Sequence, residues 1–513
     1  MKYIETEIAV MGSGLAGLSA AITAAEQGAR VALFEKRPFQ GGGVSNTPMA
    51  TTAVRDDPAY QDRAFQSIFD YTKYNGDPGV IRTWVNYSSR IPEFLRKLGT
   101  EFLSVTELPL EEIGKERKFA GGFPPAYNIG DYYRFKPRGR GHGAALICLN
   151  GVRRLKELGG QVYLSTPITG ILKESDRVVG ATALDRKSGE AVQISCGALV
   201  VASGGFSDNR EMIRTYTGHT YTDNNCSGDG NVLFNPFPNA QQTGDGQLAV
   251  WAAGGARGAM GINGHDLVPG PGIIGNVPWI VGNQTRTIQE QPYLWVNQAG
   301  ARFIDEAKSK NHMAMGTAIS RQPGKCSYIL FDDDTRRHME EEGLEYQYFI
   351  FPAERLEGVR EQFLDLIHRV GNRHIFLADT IPELCAATGI DPAGLTATLE
   401  RYNRFCDQGH DGEFSKNPAF LRPVRRGPFY AMRVFNGGYT AFGGIKINGR
   451  CEVLDDRGRP IPGLYAAGDC ACGEVWGDPP IGGIGQSNIA FALGFASGEN
   501  ALAYVRGREE GAS

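Results

Sequence analysis

Gly12-Ser13-Gly14-Leu15-Ala16-Gly17 follows the apolar run Ile8-Ala9-Val10-Met11 and opens the alanine-rich stretch Leu18–Ala25. A second apolar run, Val31-Ala32-Leu33-Phe34, ends in Glu35, 18 residues beyond Gly17. Strand, glycine turn, helix, strand and acid, in that order, make a unit suited to holding a dinucleotide. Gly12 permits the sharp turn, Gly14 lets backbone approach a pyrophosphate, and Gly17 lets the helix pack on the strand. The helix N-terminus offers free N–H groups and partial positive charge to phosphates. Glu35 is placed to accept hydrogens from both hydroxyls of a ribose.

The chain of 513 residues, 41% apolar, is long enough for several domains. Glycine is abundant, with 68 residues, about twice the usual share of roughly 7%. Much of it is paired, as in Gly204-Gly205, Gly443-Gly444 and Gly482-Gly483, which suits close approach of backbone to a bulky ligand. A net charge of −4 gives no basis for binding nucleic acid or an anionic membrane. Nine cysteines, odd in number and mostly within apolar segments, point to a reducing compartment. The close pair Cys470-Ala471-Cys472 fits neither zinc nor iron–sulfur spacing, so no metal is expected. The first strand begins almost at once, with no cationic start and no long apolar run. A cytoplasmic protein without a membrane span is therefore expected.

Two further apolar strands end in glycine turns: Leu199–Phe206, through Ser203-Gly204-Gly205, and Pro462–Asp469, through Gly468. Parallel sheets gather ligand contacts at strand C-termini, so three such ends in one chain support a single extended site.

With these motifs in place the chain resembles the FAD-dependent flavoproteins of the fumarate reductase and succinate dehydrogenase family, which includes 3-ketosteroid dehydrogenases. The likeness keeps its order over nearly the whole length. It runs through Gly12–Gly17, Glu35-Lys36, Val201–Phe206, Asn209–Met212, Thr243-Gly244-Asp245-Gly246, Asn297–Phe303, Gly443-Gly444, Gly463–Asp469 and Gly482–Gly498. It implies an α/β fold: a Rossmann-like FAD-binding domain made of residues 1–255 and 429–513, with an inserted α+β substrate-capping domain at 256–428. Implied FAD contacts come from Gly12, Ser13, Gly14, Leu15, Ala16 and Gly17, from Glu35 and Lys36, and from Gly41, Gly42, Gly43 and Ser45. Further implied contacts are Ile168, Ser203, Gly204, Gly205, Asp245, Gly468, Asp469, Gly485, Ser487 and Asn488. A helix starting near Gly485 would aim its N-terminus at the flavin. Some family members attach FAD through a histidine after the second strand. Gly41–Ala53 holds none, so non-covalent FAD is expected.

The implied chemistry is redox exchange across a carbon–carbon bond, either reduction of an activated alkene or desaturation beside a carbonyl. Hydride would pass between flavin N5 and one carbon, with a protein group handling the proton at the other. Fumarate-reducing members use an arginine a few residues beyond the Arg-Phe motif; here that place holds Lys310, followed by Asn311-His312. Histidines expected near Gly443-Gly444 are Tyr439-Thr440, an arginine before the last glycine loop is Ile481, and a His-Pro-Thr element finds only Asp266–Pro269. Lysine lacks the fork that grips a carboxylate, so these substitutions argue against a C4 dicarboxylate. The tyrosine that ketosteroid dehydrogenases place before that loop is Pro480. Lys310, His312 and Tyr439 are the candidate proton-handling groups, with a solvated polar loop as the alternative for the first two. A small unsaturated or carbonyl-bearing substrate is expected, with a redox partner protein as a further option. The rival reading is an electron-transfer subunit working with an iron–sulfur chain.

Overall fold

The computed structural model describes residues 1–41, 45, 48, 50–115, 128–136, 143–217, 220–221, 232–233, 241–267, 284–309, 311–346, 353–477 and 486–512. In chain order the strands of the first half are β1 (Lys2–Met11), β2 (Val31–Phe34), β3 (Ala50–Ala53), β4 (Phe102–Thr106), β5 (Asp131–Phe135), β6 (Gln161–Tyr163), β7 (Ile168–Glu174), β8 (Arg177–Asp185) and β9 (Glu190–Val201). The second half adds β10 (Thr220–Tyr221), β11 (Val232–Leu233), β12 (Arg257–Leu267), β13 (Leu294–Asn297), β14 (Cys326–Asp332), β15 (Ile375–Ala378), β16 (Phe429–Ile445), β17 (Glu452–Leu454) and β18 (Pro460–Ala466).

The first sheet runs β17-β18-β9-β1-β2-β6, with β8 and β7 continuing from β9. Strands β18, β9, β1, β2 and β6 are mutually parallel, with Val10 opposite both Leu33 and Val200, and Ala466 opposite Val201. Where they are buried on both faces, at Ile8–Met11, Val31–Phe34 and Ala198–Val201, these strands read as unbroken apolar runs rather than alternating ones. The helix Leu15–Glu26 packs on this sheet and is covered in turn by the C-terminal helix Gln486–Ala512. Alanines and glycines line that seam. A Cβ on Gly494 would meet the Ala16 carbonyl at 2.6 Å, and one on Gly498 would meet that of Ala20 at 2.4 Å.

The second sheet is antiparallel, β12-β16-β14-β13, with β15 also on β16. Its two faces carry separate apolar clusters, one around Leu294, Tyr328 and Tyr402, the other around Trp295, Ile329 and Tyr430. The 17-residue β16 changes neighbours along its length: β14 accompanies it as far as Phe435, and β12 from Phe435 to Ile445. A small third sheet, β3-β5-β4, lies in the first part of the chain. No described helix is long and apolar enough to cross a membrane.

Candidate functional site

Four parallel strands end at one edge of the first sheet. Their successors, Gly12–Gly14 after β1, Glu35–Arg37 after β2, Ala202–Gly204 after β9 and Gly468-Asp469 after β18, line two clefts of about 430 and 390 Å³. Gly14, Ser45, Ala202, Gly204 and Asp469 line both, so the clefts form one elongated site.

The glycine turn is built as the spacing predicts. Gly12 has φ +106°, and a Cβ there would lie 2.4 Å from the Ala202 carbonyl oxygen. A Cβ on Gly17 would lie 2.0 Å from that of Gly12. Gly14 caps the helix without any side-chain hydrogen bond, and the Leu15 N–H finds only the Ser45 hydroxyl, at 3.2 Å. The remaining N–H groups of that first turn are oriented as an anion site. The cleft fits an extended dinucleotide: its wall has no side chain at Gly12, Gly14 or Gly204, where a Cβ on Gly12 or Gly14 would also crowd its neighbours, and it ends on an open helix terminus. It also has a buried Arg37 Nε with no hydrogen-bond partner, in a guanidinium whose Cζ lies 4.1 Å above the Phe39 ring.

Glu35 is less free than expected. Its Oε2 accepts from the Ser13 N–H (3.0 Å) and hydroxyl (2.7 Å), and its Oε1 from the Arg37 N–H (2.9 Å). The Ser13 hydroxyl accepts in turn from the Gly41 N–H at 2.9 Å. Of about four acceptor directions on a carboxylate, three are used. One ribose hydroxyl, not two, can be served without rearrangement.

Lys36 and Asp245 meet each other. Lys36 Nζ donates to Asp245 Oδ2 (2.8 Å) and Thr243 Oγ1 (2.6 Å), while Thr243 donates to Asp245 Oδ1 (2.7 Å). Lys36 lines the cleft, whereas Asp245 anchors it from behind at the start of the helix Asp245–Ala252. Asn488 is also committed. Its Oδ1 accepts from Trp84 Nε1 (2.9 Å) and the Ser88 hydroxyl (3.0 Å), and its Nδ2 donates to Thr52 Oγ1 (2.8 Å). This side chain fastens the C-terminal helix to its surroundings, and its neighbour Ser487 lines the cleft instead. Ile168 is buried opposite Ala183 at the start of β7 and is not among the lining residues, and Gly205 is buried next to Gly204. Leu15, Ala16 and Ser203 line the site as expected. Gly42, Gly43, Gly485, Lys310, Pro480 and Ile481 lie outside the described residues, and for His312 and Tyr439 only the backbone is described.

That backbone is informative. His312 opens the helix His312–Ser320. Tyr439-Thr440 forms a bulge in β16: Ala441 faces Ile262 and Gly438 faces Gly264, so two residues oppose Asn263 alone. Bulges re-aim side chains and favour active sites. The segment before Lys310 is held tightly. Arg302 makes paired bonds to Glu306 (2.8 and 2.8 Å) and Asp411 (3.0 and 2.9 Å), and Lys416 Nζ lies 3.3 Å from Glu306 and 3.1 Å from the Tyr402 hydroxyl. The side chains of Arg302, Glu306, Asp411 and Lys416 are all at most 1% exposed. Burial pushes the Asp411 carboxyl up, but Arg302 and backbone N–H groups outweigh it and bring it down to about 2. The Ser309 hydroxyl donates to the Glu290 carbonyl (2.7 Å) and the Tyr346 hydroxyl to that of Ala307 (3.0 Å).

Arg37, Gln241 and Gln242 also line the cleft, and the sequence reading missed them. Arg37 follows Glu35-Lys36 directly and was open to recognition; the glutamines carry no local signal. Burial pushes the Cys470 thiol up to about 12 and Cys472 higher still, so neither is a thiolate near neutral pH. Among the described residues no cluster could hold a metal.

A largely parallel sheet with glycine-lined strand ends, joined to an antiparallel insert, defines a dinucleotide-binding α/β protein. The chain belongs to the FAD binding domain family, whose model matches residues 7–485, and its cofactor is FAD. It is 28% identical to a vinyl phenol reductase of Lactiplantibacillus plantarum, over 98% of each chain. It is 26% identical to a cytochrome-type fumarate reductase of Shewanella frigidimarina, over 98% of this chain and 77% of that one. A 3-ketosteroid delta1-dehydrogenase from Sterolibacterium denitrificans shares the fold, with a TM-score of 0.70 at 19% identity over 97% of this chain and 99% of that one. The family resemblance read from the motifs therefore holds, and the protein is an FAD-dependent oxidoreductase acting on carbon–carbon bonds.

Proposed function

We propose that the protein reduces an activated alkene that lacks the two carboxylates of fumarate, with vinyl-substituted phenols as the first class to test. The observation that carries this reading is an intact cofactor cleft in a chain whose sequence has lysine (Lys310) and isoleucine (Ile481) where the resemblance gives arginines. The end-to-end likeness to a vinyl phenol reductase supports it.

Gly12–Gly17 would hold the pyrophosphate of FAD and Asp469 would hold its ribityl chain, without a covalent bond. Bound FAD supplies hydride exchange at its N5. The chain's own residues orient the alkene and deliver the proton: Lys310 or His312 at the carbon opposite the hydride, with Tyr439 as a donor to any conjugated oxygen. The second sheet, mostly within 256–428, serves as the cap that excludes water. A cytoplasmic setting suits the eight described cysteines, all free thiols.

Anaerobic holoenzyme reduced with dithionite and mixed with 4-vinylphenol, fumarate or a steroid enone tests this. Return of oxidised flavin absorbance with vinylphenol is expected, at least about 100-fold faster than with fumarate. Lys310→Met is expected to slow it about 100-fold or more. Faster turnover of fumarate overturns the substrate assignment.

A further inference from the structure

Past Phe435, β16 loses β14 as a neighbour, and its backbone groups on that edge need other partners. They find them on the cofactor side of the molecule. The Ala441 N–H donates to the Ser207 hydroxyl at 2.6 Å, and the Phe206 N–H donates to the Ala441 carbonyl at 3.1 Å. The carbonyl of Gly443 accepts from Gln247 Nε2 at 3.1 Å, and that of Gly444 accepts from Trp251 Nε1 at 2.6 Å. Gln247 and Trp251 are one turn apart on the helix Asp245–Ala252, so a single helix face grips two successive carbonyls. Both glycines hold positive φ, +82° and +102°. The register of β12 and β16 shifts on either side of this stretch, at the Tyr439-Thr440 bulge and again before Ile445.

The same helix is fixed to the cofactor cleft. Gln247 Nε2 also donates to the Gly204 carbonyl at 3.1 Å, and Asp245 holds Lys36. Gly204 and Lys36 both line the cleft. Gln247 is fully buried, both its donated bonds come from one nitrogen, and its Oε1 has no partner. One amide thus joins the wall of the cofactor cleft to the strand that carries Tyr439.

We infer that Gln247, seconded by Trp251, is a positioning residue: it sets the Gly443-Gly444 corner, and with it the Tyr439 bulge, at a fixed distance from bound FAD. This rests on the proposed alkene chemistry for its kinetic consequence but not for its structural one. Methionine at 247 keeps the volume and removes both bonds. Glutamate keeps the shape but, when ionised, sets one carboxylate oxygen against both carbonyls; once protonated it donates to one of them again.

The test uses wild-type, Gln247→Met, Gln247→Glu and Trp251→Phe holoenzymes. Amide hydrogen exchange is compared for residues 441–446 and for 8–12, and reoxidation of the reduced flavin is timed with saturating alkene and with dioxygen. Gln247→Met is expected to lose at least about tenfold in protection at 441–446 and none at 8–12. Its alkene rate is expected to fall at least about tenfold at saturation, with KM and the dioxygen rate within about twofold of wild type. Gln247→Glu is expected to regain alkene rate relative to wild type at the same pH as pH falls. Trp251→Phe is expected to show a smaller loss in the same two readouts, and it decides the matter should the Gln247 variants not fold. Unchanged exchange at 441–446, or alkene and dioxygen rates falling together, overturns the inference. If no alkene reoxidises the wild type, the proposed function fails while the exchange data still judge the clasp.

Discussion

The two halves of the molecule are held together by opposite means. Around the cofactor cleft, contact is backbone on backbone: Gly17 on Gly12, Gly494 on Ala16 and Gly498 on Ala20, with the added Cβ in each case within 2.6 Å of a carbonyl oxygen. Behind the loop that leads to Lys310, contact is charge on charge: Arg302, Glu306, Asp411 and Lys416 all lie out of water. Close backbone packing is unspecific in chemistry and intolerant of volume. A buried ion cluster tolerates little loss of a partner but is specific in direction, because each fork and carboxylate fixes the next. The first device suits a wall shaped to a large, flat ligand. The second suits a segment whose next residue must arrive at one orientation.

The contrast breaks first at Gly17. Gly17→Val is expected to destroy the close packing of the helix on the turn, costing more than about 3 kcal/mol and leaving protein without flavin. The ratio of flavin to protein absorbance after purification measures this. Retained flavin in that variant would mean that the close approach of helix to turn is dispensable. Arg302→Met comes next. It leaves Glu306 and Asp411 buried with only Lys416 to balance them, and is expected to cost about 3–5 kcal/mol. Arg302→Lys keeps the charge without the fork and is expected to recover only part of that. Urea midpoints for the three proteins give the comparison, and full recovery by lysine would show that net charge, not orientation, is what the cluster supplies.

What could be read from the sequence follows the same division. The turn Gly12–Gly17, the strand ends at Glu35, Gly204 and Gly468, and the helix after the last glycine loop are local patterns, and each lines the cleft or shapes it. The commitments of side chains were not legible, because they join distant parts of the chain. Lys36 reaches Asp245 across 209 positions, Arg302 reaches Asp411 across 109, and Gln247 reaches Gly443 across 196. Asn488 shows the cost of reading a motif by position alone. It stands within the glycine-loop segment, yet its amide is consumed by Trp84, Ser88 and Thr52.

Acid sharpens the comparison further, since the alanine and glycine seam carries nothing that titrates. His374, next to β15, is half-buried beside the Phe435 ring. Burial, followed by the charges of Arg433 and Arg373, lowers its pKa from 6.5 to about 4. Unfolded, that imidazole takes up a proton near its ordinary value while the folded one does not. Its contribution is therefore complete above about pH 6.5 and is lost as pH falls toward 4. Asp411, held down to about 2 from 3.8, contributes above its unfolded value, and that contribution is lost as pH falls from about 4 toward 2. Both windows belong to the half that carries the second sheet, so urea midpoints are expected to decline in two steps below pH 6.5. His374→Gln is expected to flatten the upper step and leave the lower one, and Asp411→Asn to flatten the lower. A decline of the same shape in all three proteins would place the acid sensitivity elsewhere, and would remove the claim that charge orders one half of this molecule while backbone contact orders the other.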